Sequence, residues 1–425
     1  MLNIVSQITF ADYGEIEILG DLERLLLAQL GLSDESLMLR LESRRGKGRN
    51  DYPVRVMWNL VIAMKVFGHK TVESFRRELS RNSQLRKVCG LCDFTRKKHV
   101  VPPARVFSNF LALLIEEQSE LDILFKTQVN DLRESLPEFG VNTAGDGKYL
   151  DSYAKRKNKH PNPNSGMRAE NDAEWSIKEN KVVDKNGKVK EKKEYHYGFK
   201  AHIICDVKTE LPIAYKVLPA NSCEKEAMMC MLEELSSSMK NRMKHLSLDR
   251  AYDSTDLIQA SKAVGIIPIV DIRNCWKDGE VTRQYKETDI VYDYQGNVYM
   301  IDEQLKQRRM HYEGYDSQKK CLRYSYKGKM YKIYISYDER VFLPVARDSM
   351  KFGRLYKGRT AVERLNGRLD RDYMFEDHCI RGIKKMNLML SLTLLTMNAM
   401  ALGKIRNGVT EHLAALTRLD KRRAA

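Results

Sequence analysis

Three acidic residues in three separate settings carry the chemistry open to this chain. Asp146 lies in Thr143-Ala144-Gly145-Asp146-Gly147-Lys148, and Asp249 in Leu246-Ser247-Leu248-Asp249-Arg250-Ala251-Tyr252-Asp253. Glu363 lies in Tyr356-Lys357-Gly358-Arg359-Thr360-Ala361-Val362-Glu363-Arg364-Leu365-Asn366-Gly367. Two divalent cations about 4 Å apart need several shared anionic oxygens if they are to clamp a phosphodiester during in-line displacement. Three distant carboxylates that folding brings together would supply those oxygens. The rest of the chain suits a polyanionic substrate. It holds 73 Lys and Arg against 57 Asp and Glu, a net charge of +16, and such an excess favours nucleic acid as partner.

Each acid has a competing use. Asp-Gly is also a turn signal, but glycines on both sides of Asp146 admit close approach of a DNA backbone. Asp151, five residues on, would project from the opposite face of an extended strand. Asp249 ends an apolar strand, where α/β sheets place reactive groups. Asp253 instead stands with Ser254 at the start of a helix, as a cap. Arg359 precedes Glu363 by four residues and Tyr356 precedes it by seven, so one helix would project all three to the same side. Arg359 and Glu363 can form an ordinary i,i+4 ion pair, worth a few tenths of a kcal/mol. Alternatively, Glu363 closes a metal site while Arg359 and Tyr356 contact phosphate.

The elements that must position these residues are legible as patterns. Residues 1–138 read as helical. Leu22, Leu25, Leu26 and Leu30 mark one apolar face, Pro53 opens a helix, Thr71 caps Val72 to Arg81, and Pro102-Pro103 opens another helix. Between these apolar faces lie Arg76, Arg77, Arg81, Arg86, Lys87, Arg96, Lys97 and Lys98. They form either a solvated basic face or a DNA-reading surface. Residues 139–272 change character: Val141 to Asp151 reads as a strand, followed by a lysine-rich loop from Lys155 to Lys193. Strands are expected at Tyr195 to Val207, Leu211 to Val217, His245 to Asp249 and Ile266 to Ile272. Helical spacing runs over Ala227 to Met243 and Ser254 to Val264, which makes a mixed α/β sheet the natural class. Residues 273–350, rich in Tyr and Lys, read as a β insertion. Helical pattern resumes over 351–425, ending in a basic tail from Arg418 to Arg423.

Composition narrows the class. At 425 residues, 43% of them hydrophobic, the chain can bury a sizeable core. The eight cysteines form no dense framework and read as reduced. Cys89-Gly90-Leu91-Cys92 lacks the second pair that a zinc knuckle needs, so an apolar helix end is expected there rather than a site completed by His99. The N-terminus shows no secretory pattern. The uncharged run from Met386 to Gly403 carries Asn and Thr and reads as a buried core helix, so a cytoplasmic, nucleoid-associated protein without a membrane partner is expected.

Tyr356, Arg359 and Glu363 match the Tyr-x2-Arg-x3-Glu signature, and in this the chain resembles bacterial insertion-sequence transposases of the DDE class. Asp146-Gly147-Lys148 resembles the first-strand motif of that family. Tyr197-Gly198-Phe199-Lys200 and Pro219-Ala220-Asn221 resemble its second and third strands, and Leu248 to Ser254 its second-aspartate motif. Arg49 to Pro53 and Pro102 to Leu111 resemble its N-terminal region. The likeness runs from about residue 45 to 405, and the order and joint presence of the blocks give it weight. One position departs: a Lys usually follows the Glu by seven residues, where this chain has Asp370, with Arg368 and Arg371 nearby.

The resemblance implies an α/β fold: an RNase H-like mixed-sheet catalytic domain with a β-rich insertion, preceded by an all-helical N-terminal DNA-binding domain (1–138). The catalytic core would span 139–272, the insertion 273–350, and the Glu-bearing helix with the C-terminal helices 351–425. Asp146, Asp249 and Glu363 would hold two Mg²⁺ ions, with Mn²⁺ a possible substitute. Tyr356, Arg359, Arg371, Lys200, Arg76, Arg77 and Arg81 are the expected DNA contacts. Trp276 and the tyrosines after it either stack on a displaced base or pack a core. The expected partners are double-stranded DNA (terminal inverted repeats and target DNA) and a second copy of the chain or a larger assembly. The expected activity is strand cleavage at element ends followed by strand transfer. A catalytically inactive DNA-binding derivative and a structure-specific nuclease on the same fold are the alternatives.

Overall fold

The computed structural model describes residues 20–46, 51–91, 101–154, 170–183 and 189–415. Arg49, Asn50, Cys92, Arg96, Lys97, Lys98, His99 and the Arg418 to Arg423 tail lie outside the described residues.

The chain opens with helices: α1 (Asp21–Gly31), α2 (Glu35–Arg45), α3 (Val54–Val66), α4 (Val72–Arg81), α5 (Ser83–Val88), α6 (Ala104–Glu116) and α7 (Gln118–Ser135). Their starts follow the expected signals. Pro53 and Pro103 stand just before α3 and α6, and the Thr71 side chain accepts from the Ser74 amide at 3.1 Å to cap α4. Cys89 closes α5 as a buried thiol, as expected for an apolar helix end, and burial pushes its pKa up.

A six-stranded sheet follows, built from β1 (Asn142–Asp151), β2 (Glu174–Val183), β3 (Val189–Asp206), β4 (Pro212–Pro219), β5 (His245–Leu248) and β6 (Ile267–Val270). β3 lies antiparallel to β1, β2 and β4, while β1, β5 and β6 run parallel. Two helices, α8 (Glu224–Glu234) and α9 (Ser237–Arg242), replace the single run expected over 227–243. After β5, α10 (Thr255–Ala263) leads into β6.

The part of the 155–193 stretch that is described corrects the expected loop. β2 pairs with the first half of β3 as a ribbon, setting Ile177 opposite Tyr195 and Lys178 opposite Glu194. Cross-strand pairs of this kind stabilise a ribbon without a buried face. Neither face is core, so the usual apolar alternation that marks a strand is missing.

The insertion forms two antiparallel sheets, β7 (Thr282–Gln284) with β8 (Ile290–Asp293), β9 (Val298–Ile301) and β10 (Gln307–Arg309), and β11 (His311–Asp316) with β12 (Cys321–Tyr326) and β13 (Lys329–Tyr334). It has its own core around Tyr292, Tyr324 and Phe342. The chain then completes the main body with α11 (Met350–Lys357), α12 (Thr360–Arg371) and α13 (Ile383–Arg406).

The uncharged run forms most of α13, which is long and apolar enough to cross a membrane. In this protein 89% of its most apolar window is buried, against α1, α3, α7 and β4. At the α1–α13 crossing a Cβ on Gly31 would overlap the Ala399 carbonyl, and one on Gly403 the Leu27 carbonyl. Only glycine admits that approach. One hydrophobic core runs from Leu22 to Leu413 through helices and sheet, so the boundary at residue 138 separates elements rather than cores.

Candidate active site

Asp146 and Asp249 come together because β1 and β5 are parallel neighbours. Their register pairs Ala144 with Ser247. Carried two residues further, it sets Asp146 beside Asp249 across the spacing of adjacent strands, about 4.8 Å. Asp249 follows the last residue of β5. Its Oδ1 accepts from the Arg250 amide at 2.7 Å and caps a short turn over Arg250–Tyr252. Asp146 accepts from the Gly147 amide at 2.8 Å.

The two carboxylates feel each other. Burial pushes the Asp146 carboxyl up to about 6. The charges of Glu224 and Asp249 add to the rise, and the Gly147 amide and the Arg359 guanidinium oppose it. A half-buried acid facing two others is a place where a cation is favoured.

Glu363 reaches the same region from α12, which packs on β1 and β3. The Ser247 hydroxyl donates to the Leu355 carbonyl at 3.0 Å, fixing α11 on the β5 side. The expected single helix through Tyr356, Arg359 and Glu363 is interrupted. Gly358, Arg359, Ala361 and Val362 donate to carbonyls three residues back, so a tighter turn joins α11 to α12. Gly358 lies against Val207, and a Cβ there would meet the Leu355 carbonyl at 2.9 Å. From the far end, Glu210 accepts from both Arg364 and Arg368 and ties α12 to the β3–β4 turn.

Arg359 links the acids. Its Nη1 donates to Glu363 Oε1 at 2.5 Å. Burial acts against its charge, but Glu363, then Asp249 and Tyr356, raise its pKa above the ordinary value. Tyr356 is half-buried and stacked on Phe352. Burial raises its pKa, Asp271 and Asp249 adding to the rise while Arg359 and Arg250 oppose it. One guanidinium thus serves three carboxylates, with Glu363 as its direct partner. Among the described residues no group of three or more His, Cys, Asp or Glu side chains is arranged to hold a metal ion.

The competitors resolve differently from Asp249. Asp253 is buried and receives both Arg340, at 2.5 Å, and the Arg273 amide, at 2.9 Å. It anchors the insertion, while Ser254 alone caps α10. Asp151 is exposed and meets His196.

Two expected DNA contacts stand corrected. Lys200 is buried, its ammonium held 2.7 Å from Glu224 and 4.2 Å from the centre of the Tyr149 ring. β3 is paired on both edges, and Lys200 points under α8 rather than outward. Arg76 is engaged by Glu73 and by the Pro102 carbonyl, which ties α4 to the start of α6. Arg81 keeps an exposed pair with Glu78, while Arg77 and Arg371 are exposed. Trp276 packs edge-on to Tyr292 under the Arg283 guanidinium.

Two residues went unsingled in the sequence. Lys148 donates to Asp370 at 2.6 Å, so β1 delivers an ammonium to the place where the expected helix lysine is missing. Glu224 faces Asp146. The signals were Lys148 inside the Asp146 motif and Glu224 three residues after Asn221.

A mixed α/β body with paired strand-end aspartates and a helix glutamate on one sheet defines the class. The family model for the transposase DDE domain matches residues 165–399, more than half of the chain, and the chain belongs to that family. The match starts after Asp146 and takes in Asp249 and Glu363. No curated protein matches. Among solved structures, a piggyBac transposase synaptic complex with hairpin DNA is similar, with a TM-score of 0.40 and 10% identity, covering 92% of this chain and 79% of that one.

Proposed function

We propose that this protein cuts DNA at the ends of a mobile element and joins the freed 3′ ends to target DNA. Membership of the transposase DDE domain family supports DNA transposition in general. The observation that carries the finer reading is the pairing of Asp146 with Asp249 on adjacent parallel strands, with Glu363 on a helix over the same sheet. The strand order β4-β3-β1-β5-β6, with β3 alone antiparallel to β1 and β4, supports an RNase H-like catalytic core.

The donor set fits hydrated Mg²⁺. That ion keeps several waters and takes one or two carboxylates plus substrate phosphate, rather than an all-protein cage. Asp146 and Asp249 would hold it, and Glu363 would join by exchanging its Arg359 partner. When bound, divalent metal activates water and stabilises the attacking and leaving oxygens of the phosphodiester. Arg359, released from Glu363, then faces a phosphate, and Tyr356 supports it from the α11 side. Lys148, aimed by Asp370, supplies a second cation along the DNA. Arg77 and Arg81 on α4 stand exposed for recognition of the element ends.

The test is nicking of element-end duplexes in Mg²⁺ or Mn²⁺. Asp146→Asn, Asp249→Asn and Glu363→Gln should each lose cleavage and strand transfer while still binding ends. Full cleavage by any one of them removes that residue from the chemistry. Cleavage without joining by the unaltered protein would identify a nuclease instead.

A further inference from the structure

Glu224 is the acid of this region that the three-carboxylate reading leaves out. It opens α8, the first helix after β4, and its carboxylate lies against β1 next to Asp146. A Cβ on Gly147 would stand 3.4 Å from Glu224 Oε1, 3.1 Å from the Lys200 Cδ and 3.4 Å from His202 Nδ1. Glycine at 147 therefore leaves the room in which Lys200 and Glu224 meet at 2.7 Å. Among the charges that act on Asp146, Glu224 comes ahead of Asp249.

The groups around this pair lack partners in a consistent way. Tyr252 is 1% exposed and lies in the field of Glu224, Asp146 and Asp249, yet its hydroxyl has no hydrogen-bond partner. His202 is fully buried opposite Gly147, and both of its ring nitrogens lack partners. Buried polar groups are ordinarily satisfied by protein or by ordered water. A phenol and an imidazole left open beside three acids suit the water shell of a hydrated cation.

We propose that Glu224 is a fourth carboxylate of the cation site, acting through the water shell of a bound divalent ion, with Lys200 as the residue that positions it. The assignment rests on the reading of Asp146 and Asp249 as metal ligands. Lys200 has the complementary role: with the ion absent, its ammonium neutralises Glu224 and prevents a third unscreened negative charge beside Asp146. When the ion is present, the same contact holds the carboxylate at the edge of the site.

The experiment is Mn²⁺ titration of the full chain without DNA, followed by the electron paramagnetic resonance signal of free Mn²⁺ at neutral pH. Glu224→Gln should weaken Mn²⁺ binding by about tenfold or more, the range found when groups just outside the ligand set are removed. Because that change leaves Lys200 buried without its partner, the double variant Glu224→Gln with Lys200→Met is made as well, and it should show the same loss. Lys200→Met alone should bind Mn²⁺ at least as tightly as the unaltered chain. Wild-type Mn²⁺ affinity in both Glu224 variants, alongside lost binding in Asp146→Asn, would leave Glu224 as no more than the partner of Lys200 and overturn the assignment. Wild-type binding by Asp146→Asn would instead remove the cation site itself, and the assignment with it.

Discussion

Asp146 should make the metal-free protein less stable as the pH rises, and Asp146→Asn should remove that effect. The folded carboxyl titrates at about 6 against a reference of 3.8. At about 1.4 kcal/mol per pKa unit, that difference corresponds to about 3 kcal/mol. The folded chain holds this proton to higher pH than the unfolded chain does. Between about pH 4 and 6, therefore, the native state binds more protons, and wild-type stability falls as pH rises. Below that window the penalty is absent, and above it the penalty is complete. Asn carries no charge and keeps an oxygen for the Gly147 amide. The advantage of Asp146→Asn over the wild type should thus grow from near zero at about pH 4 to about 3 kcal/mol at about pH 7. Urea midpoints of both proteins in EDTA would measure it, the difference between them cancelling every other titrating group. Adding Mn²⁺ at about a hundred times its dissociation constant should stabilise the wild type alone by about 2.7 kcal/mol and nearly erase the advantage. Parallel stability curves for the two proteins from pH 4 to 7 would refute the argument.

Asp253→Ala should cost about 3–5 kcal/mol, because it strands the buried Arg340 guanidinium; urea unfolding of that variant within 1 kcal/mol of wild type would contradict the pairing. Gly31→Ala and Gly403→Ala should each destabilise by about 1–3 kcal/mol or more, since a methyl at either place meets backbone of the opposite helix. An unchanged melting temperature in either would mean the helices cross elsewhere. Lys148→Ala should lower the slope of log affinity for element-end DNA against log salt by about 0.9, the share of one phosphate contact. A slope equal to wild type would show that this ammonium stays with Asp370.

Local signals were readable wherever the cause was local. Thr71 capped its helix and Pro103 stood just before the next, because a cap depends on a few neighbouring backbone groups. The strand-end aspartates were readable because an apolar run that stops at an acid marks the rim of a sheet. Lys200 was misjudged since alternation along β3 does not say which face a helix will cover. The turn at Gly358 was hidden because Val207, the side chain that demands it, lies far away in sequence. Lys148 and Glu224 acquire meaning only through Asp370 and Lys200, partners that the sheet register and the first helix after β4 bring to them. The β2 ribbon escaped notice because its composition is that of a solvated loop.

The glycine crossing of α1 and α13 has a consequence for synthesis. The first described helix rests on the last long one, so most of the central core has no completed packing surface until the ribosome has delivered Arg406. Contacts spanning nearly a whole chain form late and slowly. Products cut short before α13 would leave the apolar faces of the early helices open to aggregation and proteolysis, so translation that stops early should yield no partly working strand-cutting protein.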